Sequence, residues 1–499
     1  MVEAVEAVEA VESLGAAFTR MAREHPDRPA VTDDDSTWSR ADLEAHANRW
    51  AHDLAARGVH PGDFVSIALP NVAEHYALTL AAWKLGAVPQ PLSHKLSDAE
   101  LAAVLDVVRP PVVAGLAPGT DTSVVPPGTT ALPFGHRPGG PDTPPPPAPA
   151  PPAWKAPTSG GSTGRPKVIV AAEPGTVDIV ASRAAVYRIE PDGTFLCTAP
   201  LFHNAPYLFS LLGLMLGNHV VLMGRFDAAR ALALAQEHAA TWIYAVPTMM
   251  GRMLRVAGDG AQRNSTHRER LPDLPALRTL FHIGAPCPPA VKRAVIDWLG
   301  PDRVLEGYAG TEAQARTSIT GREWLEHPGS VGRVTGGEIE ARTLDGERRC
   351  AVGEVGELWL RPEPGRTTYR YIGAEARSRP GGWESLGDMG SFDADGYLHL
   401  ADRAADMIVV GGQNVYPAEI EAAILEHPAV MSAVVVPAPD DDLGSVPHAV
   451  VQTGHDVTDA DLDAHVAARL SPAKRPRAWR RSAGALRDDA GKVRRSSYR

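Results

Sequence analysis

The sequence predicts an α/β protein, with a large N-terminal domain of several sheets and helices followed by a small α+β C-terminal domain. Three observations carry this expectation. The chain has 499 residues, too many for one compact core. From Leu14 to about Ala114, helix and strand signals alternate, as they do where parallel strands are joined by crossover helices. After Asp402-Arg403 the texture changes to short strands and two short helices, which suits a separate small unit. The expected domains are therefore 14–401 and 402–499, preceded by an arm at 1–13.

In chain order, residues 2–13 repeat Val-Glu-Ala. A period of three slips by about 60° per repeat on a helix, so no apolar stripe forms, and glutamates at i, i+3 repel. A flexible arm is expected. Ser39-x-x-Asp42 opens a helix that stops at Gly58, and Phe64–Leu69 reads as a strand. Ala73–Leu85 is helical with Gly86 just past its end, and Ser97-x-x-Glu100 is a capping box. Between Pro138 and Pro157, ten of twenty residues are proline. A run so poor in N–H donors reads as an extended surface excursion, either a spacer or a ligand for a Pro-reading partner. Strand and helix signals then resume through residue 300. Gly353–Arg361 reads as a strand, and Gly381–Gly396, with Asp388, Asp393 and Asp395, as a turn-rich stretch. Pro417 sits at the first turn of a helix over Ala418–Leu425. Met431–Val436 and His448–Gln452 read as strands, and Thr458–Leu470 as a helix. From Ser471 the tail carries ten Lys/Arg against two Asp, a solvated basic face or a holder of polyanions.

Composition narrows the function. A hydrophobic fraction of 44% and a charged fraction of 22% describe an ordinary soluble protein. The net charge of −11 argues against general nucleic-acid binding. The three cysteines, Cys197, Cys287 and Cys350, are far apart, which gives no metal-ligand spacing and fits a reducing cytoplasm. The most apolar run, Tyr207–Gly217, falls well short of the ~20 residues of a membrane span. No basic n-region marks a secretory signal.

The richest chemical stretch is Thr158-Ser159-Gly160-Gly161-Ser162-Thr163-Gly164-Arg165-Pro166-Lys167. Its glycines allow backbone N–H groups to approach a ligand, its hydroxyls add donors, and Arg165 and Lys167 add positive charge. That set suits a polyphosphate. Arg165 stands where G-x-x-x-x-G-K-[ST] requires lysine, and the G-x-G-x-x-G dinucleotide pattern is absent. Taken alone, the stretch fits a solvated turn equally well.

Further motifs follow in order: Pro200-Leu201-Phe202-His203-Asn204, Tyr308-Ala309-Gly310-Thr311-Glu312, Gly387-Asp388-Met389-Gly390, Asp402-Arg403 with Gly411-Gly412-Gln413-Asn414, and Gly491-Lys492. From Leu14 to Arg499 the chain resembles the acyl-adenylate-forming, AMP-binding superfamily. That superfamily includes acyl-CoA synthetases, adenylation domains, luciferases and amide bond synthetases. Asp402–Leu443 is especially similar to bile-acid and aromatic-acid CoA ligases.

The resemblance implies ATP and Mg²⁺, with CoA as a further cosubstrate if a thiol is the acceptor. It implies that Thr158, Ser159, Gly160, Gly161, Ser162, Thr163, Gly164 and Lys167 cradle the β/γ-phosphates. Glu312 would ligate Mg²⁺ and Thr311 would touch the α-phosphate. Tyr308 would lie against the adenine, bounded by Gly284-Ala285-Pro286. Asp388 would take the ribose hydroxyls with Arg403 in support, and Lys492 would bridge carboxylate and ATP during adenylation. Asp402 would be the hinge of a mobile C-terminal domain, and Gly411-Gly412 would border the acceptor channel. His203, Asn204, Tyr207, Ala309 and Gly310 would line the acid pocket. His203 is read either as a shape element or as a base that assists the acceptor.

Some positions depart from the family pattern. Ala309 places a methyl where glycine is usual, and Leu486-Arg487-Asp488-Asp489-Ala490 replaces the usual approach to the glycine-lysine pair. No acidic residue follows Phe202, so the ammonium of an amino acid would be poorly compensated. A bulky, aromatic or heteroaromatic acid is expected, with CoA or a small amine as acceptor. No fused carrier protein, nucleic acid or membrane partner is expected. A luciferase-like oxygenase and a non-catalytic adenylate-binding protein are the remaining alternatives.

Overall fold

The computed structural model describes residues 11–160, 166–256, 271–440, 442–454, 456–488, 491–493 and 495–498. They form two compact units. The first comprises 1–225, 237–244 and 367–375, and the second comprises 226–236, 245–366 and 376–499.

In the first unit, four parallel strands run in the order Val88–Pro91, Phe64–Ile67, Val112–Leu116, Thr130–Pro133. Phe64–Ile67 is the core of the expected Phe64–Leu69 strand. The helices that serve this unit start where the side chains predict. Ser39 and Asp42 close a capping box on helix Arg40–Ala56, and Ser97 and Glu100 close one on Asp98–Val108. Each side-chain cap is worth ~1 kcal/mol. The expected helix after Ala73 is Glu74–Lys84, and ten of its eleven residues are buried. It therefore packs on all sides, which explains why its apolar pattern has no single face. A second sheet in this unit carries parallel strands His219–Leu222, Thr194–Cys197 and Trp242–Ala245, with Pro29–Thr32 beside His219–Leu222. A third is an antiparallel meander of Thr158–Gly160, Pro166–Ala171 and Tyr369–Ile372.

The Pro-rich run is a surface excursion only in its first half. Residues 139–144 are exposed, but Ala153, Trp154, Lys155 and Ala156 are buried. Two of the N–H groups that remain there are paired. Trp154 N–H donates to Glu173 O at 3.2 Å and Ala156 N–H to Pro89 O at 3.0 Å. Trp83 Nε1 donates to Trp154 O at 2.8 Å. Proline lacks a donor, yet its neighbours' carbonyls and apolar rings still pack.

In the second unit, Thr279–His282 pairs in parallel with Val304–Ala309, which continues antiparallel into Arg316–Thr320 and Arg333–Gly336. A five-stranded antiparallel sheet contains the ten-residue strand Trp383–Phe392. This corrects the turn-rich reading of Gly381–Gly396, whose turns lie only at its two ends. Gly387 takes φ +83° within the strand, and a register shift falls between Asp388 and Gly390, so glycines here mark an irregular strand and not a loop. The C-terminal sheet runs Gln413–Val415, Ile408–Val410, Gly444–Thr453, Val430–Asp440, with Trp479–Arg481 on Gly444–Thr453. Helices Pro417–Leu425 and Asp459–Ala467 cover it. Ile408, Val415, Ile420, Ile424, Val435, Val451, Leu462 and Val466 belong to the core of this small domain.

Beneath the second unit's parallel pair lies a buried charge cluster that the sequence pattern did not reveal. Lys292, on helix Pro289–Leu299, lies 2.7 Å from His282 Nε2 and 2.8 Å from Glu306 Oε2, and all three side chains are buried. The ammonium makes Nε2 an acceptor, so the imidazole is neutral with its proton on Nδ1. Burial lowers the His282 pKa well below its ordinary 6.5. The unfolded chain therefore binds a proton that the folded chain refuses, and this contribution to stability is lost as pH falls below that ordinary value. Lys292→Met should destabilise the fold by about 3–5 kcal/mol, because it strands Glu306 without a cation. Lys292→Met/Glu306→Gln should recover most of that loss, and denaturant unfolding of the two variants checks both.

Candidate active site

Each unit carries part of the expected site. In the first, strands Thr158–Gly160 and Pro166–Ala171 form the two arms of a hairpin, with Thr158 opposite Val168 and Gly160 opposite Pro166. Gly161, Ser162, Thr163, Gly164 and Arg165, which join the two arms in sequence, lie outside the described residues. The arms are held by side chains. Thr158 Oγ1 accepts from Gln90 Nε2 at 3.1 Å, and Gln90 Oε1 accepts from Ser66 Oγ at 2.5 Å. Lys167 Nζ donates to Tyr371 Oη at 3.0 Å and sits 4.4 Å from its ring centroid. Tyr371 is a partner that the sequence reading missed. Only strand pairing 204 residues away in sequence brings it there.

Helix Asn204–Met215 places the acid-pocket candidates of this unit. His203 is its N-cap residue without a side-chain cap bond, and its ring lies 4.3 Å from that of Phe202. Asn204 Oδ1 accepts from the buried Lys155 Nζ at 2.7 Å. Tyr207 does not behave as a pocket residue. It is wholly buried, its Oη lies 2.9 Å from Thr79 Oγ1, and His75 meets it edge-on at 5.6 Å. One helical turn past the cap, Tyr207 points into the packed interior, and its apolar body is core. Burial pushes its phenol pKa up.

The second unit gathers the nucleoside candidates. Tyr308, on Val304–Ala309, donates its phenol to Asp388 Oδ2 at 2.8 Å, and Arg403 Nε lies 3.3 Å from Asp388 Oδ1. Asp388 and Arg403 are paired across adjacent antiparallel strands, which fixes the ion pair by register. Burial raises the Asp388 pKa, against the opposing pull of Arg403 and Tyr308; Tyr308 is raised by burial and then by Asp388. A carboxylate has about four acceptor positions, so these two bonds leave capacity for a diol.

Gly284-Ala285-Pro286 follows strand Thr279–His282, with Gly284 at φ +99°, a conformation that suits glycine. Gly310 is closely approached by two side chains. An added Cβ would come within 2.3 Å of Leu386 Cδ1 and 3.0 Å of Glu312 Oε2. Ala309, by contrast, ends a strand opposite Arg316, where a methyl is ordinary. The next residues turn tightly, with Ala313 N–H donating to Gly310 O at 3.1 Å and Ala313 at φ +55°. This turn holds Thr311 half-buried and Glu312 buried. Glu312 is a carboxylate that could hold Mg²⁺, an ion that prefers oxygen ligands.

Lys492 projects from a stapled turn. Its N–H donates to Asp488 Oδ1 at 2.8 Å, and Asp488 N–H donates back to Lys492 O at 2.9 Å. Gly491 takes φ +74°, and a Cβ there would lie 3.1 Å from Thr248 Oγ1 and 3.4 Å from Val246 Cγ2. Val246 also borders Gly284. The turn is therefore seated beside the Gly284-Ala285-Pro286 segment. Lys492 is exposed to solvent. Surrounding protein lowers its pKa, Asp488 opposes this, and Arg403 adds to it. Because the side chain remains wet, solvent screens much of that cost. Lys492, Arg403, Asp388, Tyr308 and Glu312 thus act on one electrostatic neighbourhood.

Asp402 is the penultimate residue of strand Leu398–Arg403. Its Oδ2 accepts from Ala418 N–H at 2.7 Å, at the start of helix Pro417–Leu425, and lies 3.7 Å from Arg495 Nη2. Burial raises its pKa, with Arg495 opposing. Gly411 and Gly412 form an exposed two-residue hairpin turn, at φ +54° and +84°, which explains the glycine pair. No helix among the described residues is long and apolar enough to cross a membrane.

Comparison with known proteins gives the family and the fold. The AMP-binding enzyme pattern matches residues 18–367, and the AMP-binding enzyme C-terminal domain matches 419–485. A long-chain-fatty-acid–CoA ligase of Mycobacterium tuberculosis is 30% identical, over 91% of this chain and 91% of its own. The o-succinylbenzoate CoA synthetase of Bacillus subtilis, solved with its acyl-adenylate intermediate, superposes with a TM-score of 0.81 at 26% identity, covering 97% of both chains. The amide bond synthetase McbA of Marinactinospora thermotolerans gives 0.80 at 25% identity, over 98% of this chain and 99% of its own. With the motifs in order and both family patterns in place, the chain belongs to the AMP-binding enzymes, the acyl-adenylate-forming superfamily of AMP-forming ligases.

Proposed function

We propose that this enzyme adenylates a bulky, aromatic or heteroaromatic carboxylic acid with ATP and passes the acyl group to CoA or to a small amine. The observation that carries the reading is the Tyr308–Asp388–Arg403 cluster, with the Lys492 charge near enough to Arg403 for the two to repel. A diol acceptor, a ring wall and a mobile cation are what adenylation of a carboxylate asks for.

In the first step a carboxylate oxygen attacks the α-phosphorus, the bond to the β-phosphate oxygen breaks, and pyrophosphate leaves. No protein nucleophile is consumed. The chain's task is positioning and charge neutralisation. Asp388 accepts the ribose hydroxyls, Tyr308 lies along the adenine with Gly284-Ala285-Pro286 as its border, and Lys167 and the hairpin tip hold the outer phosphates. Lys492 offsets the negative charge that gathers between the acid and the α-phosphate. Glu312 would hold Mg²⁺, which would supply further charge neutralisation. In the second step a thiol or amine attacks the acyl carbon and AMP leaves. His203, at a helix N-cap beside Phe202, shapes the acyl end. The small domain from Asp402 onward turns between the steps, so that Gly411-Gly412 borders the entering acceptor.

CoA as acceptor is supported by the relatives named as CoA ligases along nearly the whole chain. An amine as acceptor is supported by the likeness to an amide bond synthetase. The two diverge in their dependence on pH. A thiol of pKa near ~8.5 gains thiolate earlier than an alkyl amine loses its proton.

Incubation with ATP and benzoate, cinnamate, a quinoline carboxylate or decanoate should release AMP and pyrophosphate in an acid-dependent way, with the aryl acids ahead of decanoate. Mass spectrometry with CoA and benzylamine offered in parallel reads the acceptor, and ADP as the nucleotide product would overturn the scheme. Lys492→Ala should slow adenylation by about 10²–10³-fold, the cost of one lost charge-stabilising donor. Transfer from supplied acyl-adenylate should be spared, because that step does not use the charge. Pyrophosphate exchange and single-turnover transfer separate the two.

A further inference from the structure

The end of the chain is fastened to the small domain mainly by charge. Glu421, on helix Pro417–Leu425, is 4% exposed. Its Oε2 accepts from Arg487 Nη2 at 2.7 Å, and its Oε1 accepts from Val435 N–H at 2.8 Å and from the Arg495 guanidinium. Arg487 also gives Nη1 to Gly491 O at 3.2 Å. Arg495 is 8% exposed and gives Nη1 to Val435 O at 2.9 Å. Its Nη2 is 3.7 Å from Asp402 Oδ2, and its Nε is 3.4 Å from Asp406 Oδ2. Two arginines, one on each side of the turn that bears Lys492, therefore converge on a single carboxylate. The second also reaches the residue at which the small domain begins.

We propose that Glu421 and Arg495 form a latch that holds Lys492 and Asp402 in one rigid body, which makes Arg495 a positioning residue for adenylation. The inference rests on the reading of Lys492 given above. Chain ends lose order unless they are tied down. Here the apolar ties are few: Leu486 packs with Val434, Val436 and Val450, with Val493 and Tyr498 alongside. Without Arg495 the residues after Lys492 keep little purchase, and an ammonium on a flexible stem loses its aim. The domain itself would survive. Its main core excludes Arg495, and Glu421 would still have Arg487 and the Val435 N–H. A displacement of about 1 Å at a reacting group is enough to cost ~10²-fold in rate.

The test uses the full-length enzyme and whichever of the four acids it turns over. Arg495→Met should lower pyrophosphate exchange by about 100-fold while leaving transfer from supplied acyl-adenylate near that of the parent. Arg495→Lys, which keeps the charge but loses the fork, should fall between. In exchange, Lys492→Ala/Arg495→Met should be no worse than Lys492→Ala alone, as expected when one residue acts through the other. Exchange unchanged in Arg495→Met, or exchange and transfer lost together with a lowered Tm, would overturn the latch. Full exchange in Lys492→Ala would instead overturn the reading of Lys492 on which the latch depends.

Discussion

The buried Glu421 carboxylate fixes two points of the terminal segment, Arg487 and Arg495. A lone carboxylate at that depth would be strongly disfavoured. It is stable only because two guanidiniums and a backbone N–H converge on it. Those arginines stand on opposite sides of Gly491-Lys492, so satisfying one buried anion also sets the turn in place. Packing alone would not choose this register, because the terminal segment contributes few apolar side chains. Charge selects the geometry here, as buried ionic groups do when they fix one arrangement among several.

The nucleoside cluster obeys the same logic at lower depth. Asp388 has Tyr308 on one oxygen and Arg403 on the other, and both partners arrive through strand register. Tyr308 and Asp388 sit on separate strands 80 residues apart in sequence. A one-residue slip in either strand would turn its side chain to the opposite face. The site is therefore as precise as the sheets beneath it. The Lys292–Glu306–His282 cluster reinforces those sheets where it matters, since His282 directly precedes Ile283-Gly284 and Glu306 lies two residues before Tyr308.

What could be read from the sequence was what is local. Capping boxes at Ser39 and Ser97, the helix after Pro417 and the strands around Val434 and Val450 follow from neighbours within a few residues. The motifs carried the family, because residue type and order suffice to mark it. Other features depend on chain segments far apart in sequence and were not visible. Tyr371 reaches Lys167 only through strand pairing. Trp383–Phe392 looked like a loop because its glycines serve an irregular strand, and Tyr207 looked like a pocket residue because aromatic character alone does not tell core from cleft. The prolines of 151–157 looked solvated because the missing donors are conspicuous in sequence, while the buried Trp154 and its accepting carbonyl are not.

The position of Asp402 bears on how a small domain could turn. Its carboxylate caps the backbone of helix Pro417–Leu425 at Ala418 and lies within ion-pair range of Arg495. Both partners belong to the small domain, so in this arrangement Asp402 moves with that domain. The soft dihedrals available for a rotation then lie on its N-terminal side, in the strand Leu398–Arg403, where Asp388 and Arg403 are paired. On the proposed reading, a rotation there would strain the Asp388–Arg403 pairing. Releasing the nucleotide and turning the domain would then be coupled events, because both would draw on the same two residues, Asp388 and Arg403.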